Sequence, residues 1–530
     1  MRKIFITASI AITVLILLWA YFWIDALLAF IVIGPLIYMG IDDMVQTRQS
    51  IKRNFPLIGR LRYFFEAIRP EIQQYFVESD TDGAPINRNE RSVIYQRSKK
   101  QIDTIPFGTQ LNVYAEGYEW ITHSIAPKDF HKMDHNPRVP FGGKECKQPY
   151  NMSVLNISAM SFGSLSQNAI LALNGGAKIG GFAHNTGEGG LSPHHLAPGG
   201  DIIWQIGTGY FGARDEAGNF SGDVFQKNAI KPNVKMIEIK LSQGAKPGHG
   251  GILPAAKNTP EVAAIRGVKA GTTVFSPPFH GAFSTPTELI LFVKKLRELS
   301  GGKPIGFKLC IGRKSEFMSI CKAMVSLNIY PDFITVDGGE GGTGAAPPEF
   351  TNHMGMPLLD GLAFVDNTLR GFGIRNEMRI IAAGKVLTGF NILRAMALGA
   401  DTCNSARAMM MALGCIQALE CNTNSCPTGV ATQNKALMKG LVVDDKKARV
   451  ANFHKNTVES FVELLGAAGL DNPDKINRTH VYRRVFMNLV KTYEEIYPTI
   501  PDGSLLPGAD HPFDYEEDLK KSSAEVFEVA

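Results

Sequence analysis

Disulfide chemistry is the first thing this chain lacks. Seven cysteines occur in 530 residues. The number is odd and the spacing uneven, so no disulfide framework is readable and a reducing compartment is expected. Strong charge of either sign is also missing: a net charge of +5 is too mild to mark a nucleic-acid binder. Low-complexity tracts are absent, because the 53 glycines fall in short loops after apolar runs. Apolar residues at 45% and charged residues at 20% are ordinary for a globular chain. The length leaves room for one large domain with additions.

Long apolar runs are present, and both lie at the start. Residues 4–24, IFITASIAITVLILLWAYFWI, carry no charge and are long enough to cross a bilayer. Trp19, Tyr21, Phe22 and Trp23 cluster at the far end, as interfacial aromatics do. A second run, ALLAFIVIGPLIYMGI (26–41), follows Asp25. A cleaved signal peptide is the rival reading. Arg2 and Lys3 fit it; the long apolar stretch and the missing small-residue cleavage site do not. Basic residues flank both sides, with Arg48, Lys52, Arg53, Arg60 and Arg62 after the second run. A helical hairpin over 1–45 puts both basic sets in the cytoplasm, whereas a single span would place the main domain outside. The hairpin is expected, in the inner (cytoplasmic) membrane, with the main domain facing the cytoplasm.

Residues 46–140 read as a polar N-terminal extension without recognisable chemistry. From 153 onward short β-rich runs recur, each followed by a helix-like stretch. They are SVLNISA (153–159), FAHNT (182–186), KMIEIKL (235–241), TTVFS (272–276), PIGFKLC (304–310), DFITVD (332–337), RIIAAG (379–384) and DTCNSA (401–406). Helical spacing of apolar residues marks 285–300 and 389–399 between them. Eight such units over ~250 residues predict an α/β fold, a (β/α)8 barrel, spanning 141–435. A doubly wound sheet is the alternative. Function in a barrel belongs to the loops at the strands' C-terminal ends. Those ends carry MSFGS (160–164), NTGEGG (185–190), SQGAKPGHGG (242–251), SPPFH (276–280), DGGEGGTGAAP (337–347) and GKVLTG (384–389). Glycine lets a backbone approach a flat ring or a phosphate closely. A phosphate site is expected after strands seven and eight, near Gly384–Lys385 and Ser405–Arg407.

Three cysteines crowd into CIQALECNTNSCPTG (415–429) just after the eighth strand. Their spacing, C-x5-C-x4-C, is not a zinc-finger pair. Thiolates are soft ligands, and three of them suit a three-iron cluster. Burial of the thiols as small hydrophobes explains the spacing equally well.

Several stretches together resemble the FMN-binding synthase domain of the glutamate synthase family. They are GCIQALECNTNSCPTGVATQ (414–433), NTGEGG (185–190), QGAKPGHGG (243–251), SPP (276–278) and GGTGA (341–345), in the family's order. The likeness runs over roughly 140–470 and is to the stand-alone, membrane-anchored members. It implies a barrel carrying FMN, with a 3Fe-4S cluster on Cys415, Cys421 and Cys426. The implied reaction is reductive amination of 2-oxoglutarate to L-glutamate by an oxidoreductase. In it, ammonia and the 2-oxo acid form an imine that accepts hydride from reduced flavin. Lys308 matches the family's strand-five lysine, which faces the negative charge of reduced flavin. Lys240, Gln243, Lys246 and Arg266 match positions around the dicarboxylate, and Glu188 an acidic residue linking flavin and donor sites. Ser161 and Gly163 match the first-strand loop against flavin. Asp337, Gly341, Gly342, Thr343, Gly384, Ser405, Ala406 and Arg407 complete the implied cofactor positions.

Departures from the family qualify the substrate. His249 stands where the family has Glu, and Glu340 looks inserted in its loop, so both changes are expected on the substrate face. Nothing resembles the family's glutaminase domain; ammonia or a separate glutaminase subunit must then supply nitrogen. No separate nicotinamide-binding domain is visible, so a ferredoxin-like protein is the expected electron donor. A neighbouring reading swaps the substrate, as in an N-methylglutamate synthase. Another keeps the cofactors in a membrane-tethered electron-transfer subunit without turnover. A helix is expected over 446–467, opening a helical extension (436–530) whose end, 470–530, is expected to be peripheral.

Overall fold

The structure is a computed structural model that describes residues 1–527. The chain divides into two compact units, 1–88 and 89 onward.

In the first unit, a helix spans Arg2–Phe22, and a second apolar stretch spans Ile24–Val45. Among the described residues these two are long and apolar enough to cross a membrane. They run antiparallel. A Cβ built on Gly40 would lie 2.0 Å from Cζ of Phe5, so the end of the second helix packs on the start of the first. Asp43, 1% exposed, closes the corner that follows. Its carboxylate accepts the Leu57 N–H at 3.0 Å and Nε of Arg60 at 2.9 Å. Two helices, Ser50–Asn54 and Ile58–Ile72, complete the unit's main elements.

The second unit is built on a closed barrel of eight parallel strands. They are β1 (Leu155–Ile157), β2 (His184–Asn185), β3 (Ile202–Ile206), β4 (Val234–Lys240), β5 (Ile305–Leu309), β6 (Phe333–Asp337), β7 (Arg379–Ala383) and β8 (Thr402–Ser405). β8 closes on β1, with Ser405 opposite Ile157. One expected strand is corrected. TTVFS does not join the barrel; Val274–Phe275 pairs antiparallel with Ile252–Leu253 in a separate hairpin. The third barrel strand is IIWQI, all five residues buried, pairing with β2 and β4. Burial decides between them: Phe275 is exposed in the hairpin, whereas a barrel strand is covered on both faces.

The N-terminal end of the barrel is plugged. A hairpin of Arg138–Phe141 and Tyr150–Ser153 lays Val139, Phe141 and Met152 against Ala183, Ile203, Met236, Phe333 and Ile381. Each large apolar side chain buried there contributes roughly 1.5–3 kcal/mol. The opposite end is left to the loops. The long helix Val443–Ala467 lies against helix Gln167–Gly180, and Gly176 makes room for Val450, which a Cβ would meet at 2.6 Å. The tail is knitted in rather than loose. Val481–Phe486 pairs with both Glu119–Ile121 and Leu489–Thr492, and buried Arg478 donates to Asp366 at 2.9 Å.

Candidate functional site

The site rises from a polar layer inside the barrel. In β4, side chains of alternate residues face one way, so Glu238 points the same way as Lys240. The fully buried Glu238 carboxylate accepts from Asn185 at 2.8 Å, Gln205 at 2.6 Å and Thr335 at 2.6 Å. β2, β3, β4 and β6 are thereby tied through one carboxylate. Sequence reading passed over all four residues, although strand parity with Lys240 was the available signal for Glu238.

Lys308 of β5 stands next to this layer. Its Nζ is 3.2 Å from Asp337, whose other contact is the Gly244 N–H at 2.9 Å. Burial alone would lower the lysine's pKa, yet Asp337, Glu238 and Glu188 outweigh it and hold Lys308 raised, as a cation. Gly244 is required at this spot: a Cβ would come within 1.7 Å of the Gly338 carbonyl.

Above them lies a cluster of opposite charges. Lys240 donates to Glu188 at 2.7 Å. Burial works to raise the Glu188 pKa, but Lys240, Lys246 and Arg266 overcome it and keep the carboxylate below its usual value. Gly207 and Gly251 leave the space that Glu188 fills, since a Cβ on either would lie 2.7 Å from it. Lys246 is buried, and burial with neighbouring Lys240 lowers its pKa to about 8 against the pull of Glu188. Arg266 is likewise lowered by burial to about 10. It donates to the Phe162 carbonyl at 3.2 Å and lies over the Phe211 ring at 5.2 Å. Gly163 and Gly189 face its guanidinium, where a Cβ would stand 3.2 and 2.9 Å from Nη2. Ser161 lies on the same β1 loop, its hydroxyl bonded to Ser164 at 3.2 Å. Among the described residues, Nε2 of Gln243 and Nε of Arg266 are buried without a hydrogen-bond partner. Such donors cost about 1–3 kcal/mol each when left unsatisfied. They mark a place built for an acceptor.

The far side of the mouth carries the expected phosphate positions. Gly384 and Lys385 both have positive φ, 139° and 51°. For the lysine that conformation costs about 1–2 kcal/mol. Ser405 donates to the Val386 carbonyl at 2.6 Å, tying β8 to the β7 loop. Ala406 precedes the helix Arg407–Leu413, and the Arg407 side chain runs across the β6 loop. It reaches the Glu340 carbonyl at 2.5 Å and crosses Gly342, whose Cβ would lie 3.0 Å away. Gly341 sits close to Asp337, and Gly342 and Thr343 are exposed on the same loop.

The two departures behave differently. Glu340 is tied down within the β6 loop: its Oε2 accepts the Leu358 N–H at 2.9 Å and caps helix Leu358–Gly371. His249 bonds the Gly250 carbonyl at 2.8 Å and meets Phe350 edge-on at 5.3 Å.

The cysteine loop is stitched to the mouth by a residue that sequence reading missed. Lys257, 2% exposed, donates to the carbonyls of Ser164 at 2.9 Å, Cys421 at 2.7 Å and Ala431 at 2.7 Å. Gln433 adds bonds to the Gly163 and Leu165 carbonyls at 3.1 and 2.8 Å. Gly344 of the β6 loop lies beside Cys421. All three thiols are free. Burial raises Cys415 to about 11 and also raises Cys421. Cys426 differs. Burial is outweighed by the Thr428 hydroxyl and the N–H groups of Ala431, Thr428 and Val430, which favour its thiolate. Among the described residues, no three Cys, His, Asp or Glu side chains converge as a metal site.

Residues 102–471 match the family model described as the conserved region in glutamate synthase. The chain belongs to the glutamate synthase family. Within that family of oxidoreductases it is similar to the glutamate synthase large subunit-like protein YerD of Bacillus subtilis. The two are 38% identical over 506 residues, covering 87% of this chain and 96% of that one. The archaeal glutamate synthase [NADPH] of Methanocaldococcus jannaschii is 38% identical over 322 residues, 60% of each chain. The glutamate synthase [NADPH] large chain of Bacillus subtilis is 34% identical over 330 residues, 61% of this chain but 20% of that one.

Proposed function

We propose that the barrel mouth binds FMN and a 2-oxo dicarboxylate and carries out the reductive amination of 2-oxoglutarate. In balance, 2-oxoglutarate, ammonia, two electrons and two protons give L-glutamate and water. The observation that carries this reading is the buried set of Lys240, Lys246 and Arg266 around Glu188, with the unsatisfied donors of Gln243 and Arg266 beside it. One carboxylate group leaves such a set partly unpaired; a dicarboxylate satisfies it.

The residues fit the flavin. FMN, when bound, would supply hydride to the imine carbon. Lys308 offers a buried cation for the reduced ring, held in place by Asp337. Ser161 and Gly163 would border the ring. Arg407, Ser405, Ala406 and the strained Gly384–Lys385 turn would hold the phosphate, with Gly341, Gly342 and Thr343 closing the loop over it. Glu188, kept ionised by three cations, can take a proton only when one of them moves away, which suits it to managing the proton that accompanies amine transfer.

A 3Fe-4S cluster belongs to this reading through the resemblance of 414–433 to the family's cysteine segment. Cys415, Cys421 and Cys426 would hold it, although the three thiols do not converge as a metal site in the structure. The donors that favour the Cys426 thiolate are of the kind that surround cluster sulfur, and Lys257 holds the loop against the β1 loop. A ferredoxin-like protein is the donor in this reading, and ammonia comes free or from a separate glutaminase subunit. The hairpin Arg2–Val45 crosses the membrane, with the barrel on the cytoplasmic side.

The test is anaerobic reoxidation of the dithionite-reduced, flavin-loaded protein by 2-oxoglutarate, oxaloacetate or pyruvate, each with ammonia. Reoxidation by 2-oxoglutarate should be clearly fastest, and Arg266→Ala should narrow its lead over pyruvate. Equal rates with pyruvate would overturn the substrate reading.

A further inference from the structure

We propose that residues 50–77 form an interfacial segment that binds an anionic lipid surface, an inference that rests on reading Arg2–Val45 as a membrane hairpin. Its core is the helix Ile58–Ile72, continued by a turn through Val77. At helical spacing Ile58, Leu61, Phe64, Phe65, Ile68 and Ile72 share one stripe. That stripe is uncovered: Leu61 is 54% exposed, Phe64 55% and Phe65 57%. An apolar face of this kind in water is an aggregation liability, so it requires a cover.

Three observations name the cover. Continuity is the first, because the segment follows an apolar helix long enough to span, after one short connection. The second is the corner itself. Asp43, near the end of that helix, grips the Leu57 N–H and Arg60, and Arg60 also donates to the Met39 carbonyl at 3.3 Å. The start of the second helix is thus locked at the level where a spanning helix ends, which is headgroup depth. Charge is the third. Arg62 and Arg69 flank the stripe along one edge, two turns apart, and Lys52 and Arg53 precede it. An apolar face edged by arginines is the pattern of a helix lying in the interface, its stripe among the acyl chains and its guanidiniums on phosphates. Basic residues at this depth favour anionic lipid.

Full-length protein in nanodiscs containing phosphatidylglycerol and phosphatidylcholine tests this. A photoreactive p-benzoylphenylalanine replaces Phe65, Leu61, Glu66 or Leu15 in separate variants. Leu61 repeats the Phe65 test in case that variant folds poorly. Glu66 points away from the stripe, and Leu15 lies in the first apolar helix. Lipid adducts should form at Phe65 and Leu61 severalfold above Glu66, enriched in phosphatidylglycerol. Arg53→Glu with Arg62→Glu should bring the phosphatidylglycerol share back to its bulk fraction. Adducts at Leu15 but not at Phe65 or Leu61 would overturn this inference while keeping the membrane reading; no adducts at Leu15 would overturn both. Adducts at Phe65 to a second protein copy would assign the stripe to self-association instead. Lipid adducts without phosphatidylglycerol enrichment would refute the anionic part.

Discussion

Lys246 shows how a single residue at this mouth acquires a chemical use. It is desolvated, pressed by Lys240, and lowered to about 8. A lysine so lowered is charged at neutral pH but loses its proton as pH rises through about 8, and a dianion arriving beside it raises its pKa again. Binding of 2-oxoglutarate to the oxidised protein should therefore take up a proton above pH 8 and almost none at pH 6.5, where Lys246 is already charged. The dissociation constant should weaken by up to about tenfold per pH unit above that point. Calorimetric titrations in buffers of different ionisation enthalpy measure the uptake. It should vanish in Lys246→Met. Uptake unchanged in that variant would move the titrating group elsewhere in the cluster. In the sequence, Lys246 stood in a glycine-rich loop and was singled out only through the family resemblance. Its burial comes from loops distant along the chain, and no local pattern carries that.

At the scale of elements, the chain was most readable where spacing sets the structure. Helix Pro286–Leu299 has both periodic apolar residues and a capping box of Thr285 and Glu288, and it formed close to where the pattern placed it. β5 through β8 were equally plain, as short β-rich runs ending in turn residues. β3 was missed because IIWQI is a five-residue apolar run without alternation, while TTVFS has the β-branched residues that favour strands anywhere. The link between loops was the least legible feature. Lys257 sits in a short 3-10 turn with no motif around it, yet it gathers carbonyls from the β1 loop, from the middle of the cysteine segment and from just past its end. Lys257→Met should leave three buried acceptors short of a donor, costing about 3 kcal/mol or more. The loss should fall on the cysteine loop first. Proteolysis within 415–433 should quicken and, where the loop carries the proposed cluster, iron per chain should drop, with flavin still bound through the β7 and β8 loops. Full iron content in a stable variant would show that the clamp is dispensable.

Across the whole molecule, the two units differ in how they satisfy their apolar surface. Residues 89–527 bury most of theirs internally, although Phe107, Ile125 and Phe513 stay exposed: the hairpin plugs one barrel end, helix Val443–Ala467 covers a flank, and the tail is held by Arg478 and by the sheet around Glu119. Glu119 itself takes Arg394 at 2.8 Å and the Tyr493 hydroxyl at 2.7 Å, joining three distant stretches of that unit. The first unit instead leaves Leu15, Leu18, Tyr21, Phe22, Phe65 and Phe76 more than half exposed. In the proposed membrane reading, lipid covers these side chains. Deleting residues 1–77 removes this surface and keeps helix Arg88–Lys99 whole. The shortened protein should stay soluble without detergent, unfold in one cooperative step and retain flavin, because no barrel strand, plug or loop residue is lost. The full chain under the same conditions should require detergent or lipid. Gel filtration, flavin absorbance and a thermal melt together decide it. If the shortened chain aggregates and comes out colourless, the first unit is part of the barrel's folding and not an anchor added to it.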